Sequence, residues 1–268
     1  MSPRTLRLLL LIVAVALGLT GLALGQEPAP AESVAVGTGA LLWVLALALL
    51  LALGFGSQLV VLGLLTLVGT LVFVDSRQSV HEAIAESTVA AEKAQMRQHY
   101  VHFMMHLNAN DQRWPRGNGQ AFLLELWWEG TVRRTQEEAE RFFSASENAT
   151  EYLALLGLDP HEQSVVEYLS DRSSLMPGMI NYAALDTRHD PSLRARMMTH
   201  PHEVTILANA TFAHRNAIVY MTADGAVHAL QIDQLLEQGL LHQDDIDAGI
   251  VPVGPSSPIP QLRTVSND

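Results

Sequence analysis

The sequence predicts an α+β protein, in which N-terminal transmembrane helices precede a long helix that extends into a domain with a small antiparallel sheet. Three observations carry this. Residues 40–74 run without a charged side chain. Apolar residues recur at helical spacing from Val80 to Met105. Further on, two β-rich runs flank Asp224-Gly225. Long helix, mixed middle and small sheet, in that order, make an α+β arrangement.

Of the 268 residues, 49% are hydrophobic, and the excess lies mainly in residues 1–74. Only Arg4 and Arg7 are basic before Asp75, so the later part carries nearly all of the formal net charge of -12. That leaves no basic footprint for DNA or RNA, and no nucleic-acid partner is expected. The chain has no cysteine, which excludes disulfides, thiolate metal sites and cysteine nucleophiles.

Residues 5–25, "TLRLLLLIVAVALGLTGLALG", read either as a retained spanning helix or as a signal peptide with a small-residue cleavage site at Ala23-Leu24-Gly25. Residues 26–39 form a polar linker rich in Pro, Ala and Gly. As a single helix, 40–74 would be about 52 Å long at 1.5 Å per residue. The hydrocarbon core is about 30 Å thick, so the segment reads as one overlong, tilted transmembrane helix. A hairpin at Gly54–Gln58 is the alternative. The two arginines place the N-terminus in the cytoplasm. Two spans would return the following domain to that side, and a hairpin would put it outside.

From Asp75, Val80, Ile84, Ala91, Ala94, Val101 and Met105 recur three, four or seven apart, which predicts an amphipathic helix of roughly thirty residues. Nothing between 74 and 80 breaks a helix, so span and helix are expected to form one rod. It should end in the turn chemistry of "NANDQRWPRGNG", 108–119. "QAFLLELWWEG" predicts a short helix or strand, 133–160 is helical in character, and an extended piece is expected near Ile180–Ala183. Residues 203–211 read as a strand. Ala217–Thr222 and Ala226–Ile232 read as a hairpin closed by Asp224-Gly225, since that turn needs φ > 0. "DQLLEQGLL" predicts a helix with Asp233 as candidate N-cap. The acids, prolines and serines of 244–268 predict a disordered tail.

His214, nine residues, then Asp224-Gly225 resembles the H-x9-DG signature of bacterial pilin-like and pseudopilin-like proteins, related to type IV pilins and type II secretion. "NANDQRWP", 108–115, is similar to the segment that ends the long helix in those proteins. The likeness covers roughly 58–232. It implies a pilin-like domain over 75–243, anchored in the bacterial inner membrane, with a structural or assembly role. The implied partners are the lipid bilayer, further copies of the chain, or secretion and pilus components. No catalysis and no cofactor are implied. One departure stands out. After Gly54-Phe55 the fifth position is Leu59, where a prepilin leader carries Glu. Cleavage by the prepilin peptidase and polymerisation into a filament are therefore not implied.

Other side chains admit sharper chemistry. His99, His102 and His106 share one helix face, and histidines so spaced can hold zinc. This supports an alternative reading as a membrane-anchored metal-binding enzyme or sensor. No H-E-x-x-H motif accompanies them, and core-edge histidines are the plainer reading. Asp224 is expected to set its turn with its own side chain, and His214 to stand at the entry of the hairpin. His200-Pro-His202 reads as a loop pair, Glu137, Glu138 and Glu140 as a solvated face, and Trp114, Trp127 and Trp128 as core or membrane-edge aromatics.

Overall fold

The computed structural model describes residues 57–159, 163–174, 176–212 and 216–268, with side chains described from residue 83 onward except at Ser174. The chain divides into two compact units, 1–83 and 84–268. The predicted N-terminal span or signal peptide, the linker, the first part of the 40–74 span, and His214 lie outside the described residues. Among the described residues, no helix is long and apolar enough to cross a membrane.

The first described element is helix α1, Ser57–Ala109. It ends where turn chemistry was expected. Asp111 and Gln112 take left-handed φ values of 52° and 61°, and the Gln112 N–H donates back to the Leu107 carbonyl at 2.8 Å. Asp tolerates this conformation better than most residues because its short side chain bonds locally.

Within the second unit, α1 is followed by α2 (Gln120–Trp128), α3 (Gln136–Glu140), α4 (Ala149–Leu155) and α5 (Val165–Ser170). The stretch expected to be helical over 133–160 is thus broken in two. Thr135 caps α3 and Asn148 caps α4 through their side-chain oxygens. Ser144, Ser146 and Asn148 lie between or at the ends of these helices, where such residues compete for backbone hydrogen bonds. Strand β1 (Tyr182–Leu185) and helix α6 (Leu193–Thr199) come next. They are followed by β2 (Thr205–Asn209), β3 (Ala217–Thr222), β4 (Val227–Gln231), α7 (Ile232–Glu237), α8 (Gln243–Asp247) and β5 (Val265–Ser266). Gln231, not Asp233, occupies the N-cap of α7, and Asp233 sits in its first turn.

The sheet is antiparallel, five-stranded and ordered β4-β3-β2-β1-β5. This is the α+β fold with a small antiparallel sheet that the sequence predicts. One face packs on a core that includes Met96 and Phe103 of α1, Phe122 and Trp127 of α2, Phe142, Tyr182 and Val219. Trp127 is fully buried there, and Trp114 and Trp128 pack against the same core.

The opposite face is covered by the segment expected to be a disordered tail, which corrects that expectation. Val251, Ile259, Leu262 and Val265 are buried with Ala183, Ala208 and Ile218. The Asp268 carbonyl accepts from Gln120 N–H at 3.1 Å. Cover on both faces explains why β1 and β2 are buried at every position and show no polar-apolar alternation.

A second correction concerns α1. Its apolar row in the sequence is not the face it packs inward. Ile84, Val101 and Met105 are 57%, 48% and 51% exposed, and Ala91 and Ala94 are exposed with them. The buried face is Glu92, Met96, His99, His102, Phe103, His106 and Leu107.

Candidate functional site

The hairpin turn is built by the Asp-Gly pair. Its loop has three residues, Ala223, Asp224 and Gly225, with Thr222 N–H donating to the Ala226 carbonyl at 3.0 Å. The Asp224 carboxylate accepts from the Thr222 hydroxyl at 2.6 Å and from Ala226 N–H at 3.1 Å. Those bonds hold its pKa below the ordinary aspartate value. Gly225 has φ +84°, and a Cβ there would lie 2.5 Å from the Tyr100 ring on α1. The turn therefore closes the sheet and rests on the long helix. Neighbouring His228 does not join Asp224; it stacks on Tyr220, with ring centroids 5.0 Å apart. His200 and His202 are exposed beside a single 3-10 turn.

The second group is the row of histidines on α1. His99 Nε2 donates to the Arg141 carbonyl at 2.7 Å, which leaves its buried Nδ1 without a hydrogen-bond partner among the described residues. His102 Nε2 lies 3.3 Å from Gln98 Nε2 and 3.9 Å from Glu138. His106 Nδ1 lies 3.4 Å from Glu129 and 3.3 Å from Asn110 Nδ2. Each ring is bonded to a different partner, and the rings of His99 and His102 are 6.2 Å apart. Among the described residues, no group of three or more His, Cys, Asp or Glu is placed to hold a metal ion, so the three do not form the ligand set the spacing allowed. Burial lowers the pKa of His99 to about 4 and also lowers that of His102. Glu138 is not a purely solvated residue either. It pairs with Arg141 at 2.9 Å, and its other carboxylate oxygen is buried.

The residue the sequence does not advertise is Glu92, which is 0% exposed. Its Oε1 accepts from the Tyr182 hydroxyl and from Asn209 Nδ2 at 3.1 Å. Its Oε2 accepts from the Ser144 hydroxyl at 2.8 Å and from Ala145 N–H at 3.0 Å. Gln95, one turn on, donates to Tyr182 Oη at 2.9 Å and to the Arg141 carbonyl at 2.8 Å. Burial and the Glu92 charge push the Tyr182 pKa well above its ordinary value, so the phenol remains a donor. One carboxylate thus ties α1 to β1, β2 and the 144–145 loop. In the sequence Glu92 sits in an alanine-rich helix, and its partners are 52 to 117 residues away. No local signal could have found it.

This network anchors α1, because both Glu92 oxygens accept bonds from donors on other elements. Glu92→Gln keeps the shape but sets an amide N–H against one pair of those donors. The expected loss is about 2 to 3 kcal/mol of stability, read as a lower urea midpoint with unchanged slope.

Comparisons with family models, with curated proteins and with solved structures return no match.

Proposed function

We propose that the protein is a membrane-anchored, pilin-like structural or assembly subunit, held in a bacterial inner membrane by its apolar N-terminal segments. Its long helix meets other copies through the exposed row Ile84, Ala91, Ala94, Val101 and Met105. That row is the observation that carries the reading. A soluble helix that packed all its apolar residues inward would leave a polar outer face. Here a row spaced three, four or seven apart runs along the outer side of α1, as in a seam between helices. The small alanines allow a second helix to approach closely. The H-x9-DG run and the hairpin resting on Tyr100 fit the same reading. Secretion or pilus components are the further partners it implies.

The absence of native cysteine makes the test direct. Ala94→Cys should form a disulfide-linked dimer in membranes of cells expressing the full chain at low level. Glu86→Cys, exposed but about 80° round the helix from Ala94, should cross-link far less. Equal cross-linking at both positions, or none at Ala94, rejects the proposed seam.

A further inference from the structure

We propose that His99 and His102 make the seat of residues 129–143 on the long helix an acid-sensitive latch, which opens locally while the sheet stays folded.

The geometry comes first. Residues 129–143 carry one short helix, α3, and much of their polar contact with α1 is made through the three imidazoles. His99 holds the Arg141 carbonyl, His102 faces Glu138, and His106 faces Glu129 and the Thr131 hydroxyl. Gln95 adds bonds to the carbonyls of Arg141 and Phe143. The neutral tautomer of His99 with its proton on Nε2 satisfies this seat. A second proton would have to go on Nδ1, which is buried and has no acceptor among the described residues.

The surroundings of that proton are hostile on most sides. The rings of Phe142 and Tyr182 stand edge-on, with centroids 5.3 and 5.6 Å from the His99 ring. Burial above all, then His102 and the Arg141 guanidinium, oppose a charge on His99, while the bond to the Arg141 carbonyl and Glu92 favour it. At His102, Glu138 favours the charge, while burial and Arg141 oppose it. An unpaired cation in such a site is relieved by opening. The segment that can move is the short one, since β1 and β2 are covered on both faces.

The sign follows. An open, hydrated His99 takes its proton near its ordinary value of 6.5, whereas the seated one resists until about 4. The latch is therefore fully closed above the open-state value and weakens as pH falls from there towards about 4. At about pH 5, His99 by itself should raise the open population about 30-fold.

The test uses the full chain in mild detergent and follows amide hydrogen exchange from about pH 7.5 to about pH 4.5, corrected for the chemical rate. Residues 135–143 are expected to lose protection before the amides of β2 and β3 do. His99→Gln with His102→Gln retains side-chain N–H groups but cannot titrate, and should abolish the rise. Glu138→Gln removes the countercharge from His102 and should enlarge the rise at about pH 5. Simultaneous loss of protection in 135–143 and in the sheet would overturn the latch. An unchanged pH profile in the double glutamine variant would do the same.

Discussion

A chain that stops after His242 should not fold. The segment it lacks supplies Val251, Ile259, Leu262 and Val265, all buried against the second face of the sheet, and it supplies β5, the edge partner of β1. At about 1.5 to 3 kcal/mol for each large side chain buried, the four contribute on the order of 6 to 12 kcal/mol. This is an upper figure, because unfolded chains already bury some apolar surface. A domain of this size is stable by about 5 to 15 kcal/mol, so the loss is comparable with the whole. The truncated chain should be degraded or aggregated, and far-UV circular dichroism of any recovered soluble part should lack the sheet contribution. Leu262→Ala is the milder form of the experiment and should cost about 2 to 4 kcal/mol. A truncated protein with a native spectrum and an unchanged urea midpoint would show that the layer is dispensable.

The second large effect is expected at Gly225. Gly225→Ala meets two separate obstacles. A φ of +84° costs an L-residue about 1 to 2 kcal/mol. The new methyl would also stand 2.5 to 2.7 Å from three ring carbons of Tyr100, so the ring or the turn must shift. The sum should be about 2 to 4 kcal/mol, most of it visible as faster unfolding. A double-mutant cycle separates the terms. Adding Tyr100→Ala should restore the steric part and leave the backbone part, giving a coupling of roughly 1 kcal/mol or more. Strict additivity of the two substitutions would mean that the turn does not press on α1.

Much of the architecture is legible in the sequence, and the reason is locality. Asp224-Gly225 specifies its turn within three residues, and β3 runs over Ala217–Thr222 as the flanking pattern predicts. The end of α1 at Ala109 follows from the turn residues beyond it. What escapes is whatever depends on distant partners. The apolar row of α1 signals a helix but not its orientation, because Glu92 turns inward to donors on Ser144, Tyr182 and Asn209. The histidines follow it for the same reason. They occupy the inward face and reach the backbone and side chains of 129–141.

The final segment escapes for a different reason. Its buried residues are separated by Pro, Gly and Ser, with neither helical nor strand periodicity, and composition alone looks disordered. One clue was available. The run Tyr182-Ala-Ala-Leu185 carries no polar residue on either face, and a strand of that kind needs cover from two layers.

The pairing of Ala184 with Ser266 and of Leu185 with Val265 bears on how the chain closes its sheet. The two strands are about 80 residues apart in sequence, so this contact is among the slowest to find. Until it forms, the β1 edge waits unzipped. Any slowing of that closure would lengthen the interval in which chains can stick to one another through the bare strand.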